Sequence, residues 1–310
     1  MNVDNPSSLI ALARQQMLQG NLDGAIHSLT GALSLDVQNV TAHALLALCL
    51  VERRRLAAAE HEARAALALG PQSAFAHLAL GKVHVARRRL REAEASFREA
   101  AAIDPDSDMP FNALGELYLH ERRMREAREC IDAAIERDPD DTSNHALLAL
   151  WHLSQNDLAR AESLAREVLG RSPDDHGALN VLGWTELRSG RIDSAYEHAV
   201  WAVRNAPDDK NALELLCAVK ARRSLLLGLW FRFNAFIAGG SGTRTIALLI
   251  GMYLGVRLLS LMLADFGYEA AAQIVSYAWI AFCVYSWVAP TLFQRMLRKE
   301  LEQVRLRPDF

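Results

Sequence analysis

Over the first two thirds of the chain, apolar residues recur at helical spacing in stretches of about a dozen, separated by short polar breaks. Phe75–Ala86 and Arg91–Ala102 are two such stretches, and the turn between them predicts a helical hairpin. The pattern then repeats. Pro71, Pro105, Pro139, Pro173 and Pro207 fall 34 residues apart. Each proline ends a second helix, and an Asp or Ser after it can cap the next. One period earlier, around Val37, the pattern persists without the proline, so six units fill residues 6–209. Leu80-Gly81, Ala93, Phe97 and Ala100 of one unit return as Leu114-Gly115, Ala127, Ile131 and Ala134 of the next. Small residues at Gly81, Gly115 and Gly183, and at Ala93, Ala127, Ala161 and Ala195, let paired helices approach closely. One hairpin cannot cover its own apolar face, so neighbours stack into an all-α solenoid with a concave surface lined mainly by first helices.

This period and its small/large/small pattern resemble the tetratricopeptide repeat family over about two thirds of the chain. The resemblance implies a helical-hairpin solenoid that binds a protein or peptide partner. Groove-facing positions are then Phe75, Leu78, Lys82 and Val85 in the third unit, and Met109, Asn112, Glu116 and Leu119 in the fourth. Leu150 and Leu153 follow, then Asn180, Trp184 and Leu187. The strip is mixed but substantially apolar, which suits an amphipathic helix or an extended apolar peptide. Family members that hold chaperone carboxyl-terminal tails use Lys, Asn and Arg in slots that here carry mostly Ile10, Ala44, Leu48 and Leu78, so that clamp is not expected. His43, His77 and His145, with His84 and His152, occupy first-helix packing slots. Without accompanying Cys or carboxylates they read as packing rather than as metal ligands.

After Asp209 the period stops and the composition changes. Residues 210–224 read as a capping helix, and 225–238, with Trp230, Phe231, Phe233, Phe236 and Arg232, as an amphipathic interfacial segment. Residues 245–264 carry one charge, Arg257, and 270–289 none; each reaches the thickness of a bilayer core as a helix. They predict a transmembrane hairpin over 245–289, followed by a basic amphipathic helix over 291–307. Lys and Arg flank the pair while the link Asp265-Phe266-Gly267-Tyr268-Glu269 has none, which places both termini and the repeats in the cytosol of an inner or plasma membrane protein. The amino terminus shows no secretory signal pattern, in keeping with that side. Gly251 and Gly255 offer a close packing face, within the hairpin or for homo-oligomerisation.

The net charge of −3 conceals −9 on residues 1–209 and +6 on 210–310. Within the repeats, Arg53-Arg54-Arg55, Arg87-Arg88-Arg89 and Arg122-Arg123 occupy the turns inside hairpins, while Asp104, Asp106, Asp108, Asp138, Asp140, Asp141, Asp174 and Asp175 occupy the turns between them. One edge is basic and the other acidic. Two readings stay open: favourable charge at helix ends, or a basic edge that meets anionic lipid or an acidic protein. A nucleic-acid role is excluded by the acidic balance and the lack of interleaved aromatic and basic groove residues. The four scattered cysteines form neither a metal motif nor a disulfide framework. No residues group as a catalytic site, and no cofactor motif is present; Gly239–Thr243 lacks the Lys-Ser/Thr of a phosphate loop. The expected function is a non-catalytic, membrane-anchored adaptor. The alternative is an integral subunit of a transport, secretion or envelope-assembly complex whose hairpin is itself the interaction surface.

Overall fold

The computed structural model describes residues 5–205, 209–223 and 242–285, with the side chains of 242–249 excepted. Every regular element among them is a helix. The chain divides into two compact units, Met1–Leu182 and Gly183–Phe310. The expected interfacial segment 225–238 and the basic helix 291–307 lie outside the described residues.

In the first unit the helices come in pairs: α1 (Pro6–Leu18) with α2 (Leu22–Leu35), α3 (Val40–Glu52) with α4 (Leu56–Leu69), and α5 (Ala74–Ala86) with α6 (Leu90–Ile103). Then follow α7 (Met109–His120) with α8 (Met124–Arg137), and α9 (Thr142–Ser154) with α10 (Leu158–Arg171). Each helix packs on its partner, and α2, α4, α6 and α8 also pack on the first helix of the next pair. First helices approach closely in series, α1 to α3 to α5 to α7 to α9, whereas the backbones of second helices stay further apart. The first helices therefore form the crowded side of the stack and the second helices the splayed side. α11 (His176–Arg188) carries the chain into the second unit, which continues with α12 (Ile192–Asn205), α13 (Lys210–Arg223) and α14 (Gly242–Asp265). A last helix, α15, runs through 269–285 of the described residues.

Close approach within a pair depends on glycine. A Cβ built on Gly81 would lie 2.3 Å from the Phe97 ring, and one on Gly115 3.0 Å from Ile131. Phe97 and Ile131 are essentially sealed from solvent, so these glycines set the inter-helix distance that buries them. In the second unit Gly183 plays the same part under Leu215, at 2.4 Å.

The turn inside each hairpin has one backbone form, repeated every 34 residues. Gly20, Arg54, Arg88, Arg122, Asn156 and Gly190 all have positive φ, between 59° and 82°. The following N–H reaches back to close the helix end: Asn21 to Gln16, Arg55 to Leu50, Arg89 to His84, Arg123 to Tyr118, Asp157 to His152 and Arg191 to Glu186. This is the Schellman arrangement, which favours Gly or Asn at the left-handed position. Gly267, between α14 and α15, uses it again, with Tyr268 N–H donating to the Leu263 carbonyl.

Candidate functional site

Along the first helices, one position per hairpin stays open: Arg14, Glu116 and Leu150 are exposed, and Leu48 and Lys82 half-buried. These residues are spaced by 34, so they form a row across the crowded side of the stack. Met109 extends the open surface at 49% exposure and Val85 at 36%. Polar contacts cross from one first helix to the next. Lys82 Nζ donates to Glu116 at 2.7 Å, and Asn112 Nδ2 to Asn144 Oδ1 at 2.7 Å. Asn144 is wholly buried and donates in turn to Asp108 Oδ2 at 2.9 Å, tying α9 to the turn before α7. This buried Asn–Asp link was not anticipated from the sequence; an Asn in a slot filled by Ala42, Ala76, Pro110 and Ala178 in other repeats was its signal.

Three groove positions need correction. Leu78 is only 7% exposed and belongs to the core with Phe97, Ala113 and Leu117, because its place on the helix turns it toward α6 and α7. Leu153 and Leu187, each at 4%, are likewise buried. Phe75 is half-buried and packs against three neighbouring core clusters, so it is as much core as surface. Asn180 and Trp184 are half-buried on α11, Asn180 in the first unit and Trp184 in the second.

A tetratricopeptide repeat family model matches residues 16–82 and 84–150, each match about two repeat lengths long. Over these residues the chain is similar to the tetratricopeptide repeat family. Solved structures share the fold at low identity. A chain of the APC/C Cut9–Hcn1 hetero-tetramer matches 71% of this chain at 15% identity and a TM-score of 0.55. This chain spans 43% of that one's length. TTC0263, a thermophilic tetratricopeptide repeat protein of Thermus thermophilus, matches 61% of this chain over 98% of its own, at 20% identity and a TM-score of 0.53. No curated protein sequence matches the chain.

In these repeats the arginine runs split by role. Arg87 and Arg89 both bind Glu60, a carboxylate almost closed off from solvent, which Arg64 also reaches at 2.6 Å. Arg53 pairs with Asp23 at 2.7 Å. Arg123 stacks on the Tyr118 ring at 4.2 Å and bonds Glu94 and Glu121, each at 3.1 Å, and Glu126. Burial pushes the Glu94 carboxyl up, but hydrogen bonds from Arg123 and Tyr118 outweigh it and hold the group below the usual carboxylate range. Burial, then the bond to Glu94, pushes the Tyr118 hydroxyl up to about 12. The arginines at the positive-φ position, Arg54, Arg88 and Arg122, are exposed and make no ion pair among the described residues.

The histidine slots are structural in two ways. His77 and His145 donate from Nε2 to the carbonyls of Pro71 and Pro139, at 3.0 and 2.8 Å, and His43 to that of Val37 at 2.9 Å, pinning the turn before each first helix. Phe111 takes that slot in the fourth hairpin, with the Arg137 guanidinium 3.8 Å above its ring. His84 and His152 are buried, and desolvation holds both below the ordinary histidine range. Among the described residues no three His, Cys, Asp or Glu side chains gather as a metal site.

The C-terminal helices present apolar surface outward. Leu254, Leu258, Met262, Ile274, Tyr277 and Ile280 are each more than half exposed. α14 has 24 residues, its side chains described from Ile250 on. Among the described residues no helix is long and apolar enough to cross a membrane, so the two full spans expected over 245–264 and 270–289 are not found there. Residues 286–289 lie outside the described residues. A Cβ added to Gly251 or Gly255 would meet nothing within 4 Å among the described residues, so neither glycine marks a close helix contact there. Arg257 is exposed on α14, and its carbonyl accepts from Ser260 Oγ at 3.0 Å.

Proposed function

We propose that this chain is a non-catalytic scaffold whose first-helix face holds a protein or peptide partner. The observation that carries the reading is the open row through Leu48, Lys82, Glu116 and Leu150, widened by Met109 and Val85, along the closely stacked first helices. Apolar groups there supply burial, and the Lys82–Glu116 pair supplies polar partners that fix the orientation of a bound segment. The Cut9–Hcn1 assembly, of similar fold, is itself a protein complex. In-cell photocrosslinking from positions 109 and 150 tests this. A discrete protein adduct, lost at least tenfold with Met109→Lys and Leu150→Asp while the melting temperature holds, supports it. Capture indifferent to both substitutions removes it.

The second part of the reading is that the C-terminal helices attach the scaffold to a bilayer, with the repeats on the cytosolic side. Its support is the outward apolar surface of α14 and α15 together with the Lys/Arg excess on either side of them in the sequence. The open surface beside Gly251 and Gly255 favours one variation, in which another helix docks there and the hairpin is an interaction surface of a larger complex. Exchanging 242–289 for an unrelated two-span anchor separates the two. A plain anchor survives the exchange and an interacting hairpin does not.

A further inference from the structure

We propose that the row of left-handed arginines, Arg54, Arg88 and Arg122, docks on the acidic edge of a second copy of this chain. The turns themselves provide the contrast. In the first and fifth hairpins the same turn reads Gly20-Asn21 and Asn156-Asp157: a residue suited to positive φ, then a side chain that caps the next helix. In the three hairpins between them it reads Arg54-Arg55, Arg88-Arg89 and Arg122-Arg123, and α4, α6 and α8 have no side-chain cap. Arg89 and Arg123 are compensated by Glu60 and Glu94. Arg54, Arg88 and Arg122 are compensated by nothing among the described residues. Helix-end electrostatics do not account for them either, since each lies as near the amino end of a second helix as the carboxyl end of a first.

A fitting counterpart is on the same molecule. Asp106, Asp140 and Asp174, also one per hairpin and 34 residues apart, are exposed in the turns between hairpins, and Asp106 and Asp140 make no ion pair among the described residues. Both rows are generated by one repeat, so each offers one charge per hairpin in the same order along the chain. Arg54, Arg88 and Arg122 can meet Asp106, Asp140 and Asp174 of the second copy in parallel order, so copies related by translation stack edge to edge in an open row. Their C-terminal helices then all face the same way. The three arginines are exposed and recur once per hairpin, which suits a partner row of opposite charge with the same recurrence. Each exposed pair changes an association constant by up to about fivefold, so three give up to about a hundredfold and a strong dependence on salt.

Sedimentation velocity of the full chain in neutral detergent tests this, at about 20 mM and about 500 mM salt. The proposal expects the apparent mass to climb with protein concentration at low salt only. Two triple variants, Arg54→Gly/Arg88→Gly/Arg122→Gly and Asp106→Asn/Asp140→Asn/Asp174→Asn, should each lose that climb. Mixed together they should form one heterodimer and nothing larger, because each retains one edge. The glycine variant relieves backbone strain and the asparagine variant is isosteric, so folding is retained and checked by circular dichroism. An aspartate variant that associates like the natural chain overturns the proposal. So does binding to phosphatidylserine vesicles that the arginine variant loses and the aspartate variant keeps, which would assign the ridge to anionic lipid.

Discussion

The repeat unit and the C-terminal helices use the same apolar residue types in opposite ways. Leu29, Phe97 and Ile131 in the repeats are at most 1% exposed, whereas Leu258, Ile274 and Tyr277 are 57%, 67% and 69% exposed. The difference lies in the small residues beside them. Gly81 admits the Phe97 ring and Gly115 the Ile131 side chain, while nothing among the described residues enters the space beside Gly251 and Gly255. Apolar content alone does not make a core; a periodic slot for each large side chain does. A helix pair without such slots leaves its apolar surface for something else to cover.

The largest expected effect probes the covered side of that contrast. Phe97→Ala should destabilise the repeats by about 3–5 kcal/mol, measured by urea unfolding, while Leu258→Ala leaves their transition within about 0.5 kcal/mol. Equal losses would make α14 part of an ordinary core and erase the distinction. Next, Gly81→Ala should cost about 1–3 kcal/mol because its new methyl meets the Phe97 ring, and Gly251→Ala should cost nothing measurable. Arg88→Gly should stabilise by about 1 kcal/mol through relief of the left-handed conformation. A loss instead would show that the Arg88 side chain makes contacts within the chain.

The smallest effect is on pH dependence. His84 and His152 are held below their ordinary range by burial, so the folded state resists their protonation. Stability is therefore full above the unfolded histidine value near 6.5 and declines as the pH falls below it. Melting temperatures of the natural chain should drop between about pH 7.5 and about pH 5.5, and the drop should shrink in His84→Leu.

Much of the repeat architecture was legible because its signals are local and recur in phase: the 34-residue proline spacing, Gly81 with Phe97, and Gly115 with Ile131. The site was less legible. Leu78 and Leu150 are both leucines on first helices, yet one is core and the other surface, which depends on where neighbouring helices lie. The left-handed turn was written in Gly20, Asn156 and Gly190, but arginine at the other three positions disguised it. The ion pairs of Glu60 with Arg87 and Arg89 join residues about one repeat apart, and no local pattern announces them.

On the reading proposed above, the repeats are covered by their own chain and the C-terminal helices by a bilayer. Vesicle flotation after an alkaline wash tests that division most directly, comparing the full chain with one lacking 225–289. The full chain is expected to float with neutral-lipid vesicles through the wash, and the shortened chain to stay at the bottom as a folded helical protein. A full chain that remains at the bottom, monomeric without detergent, would contradict it.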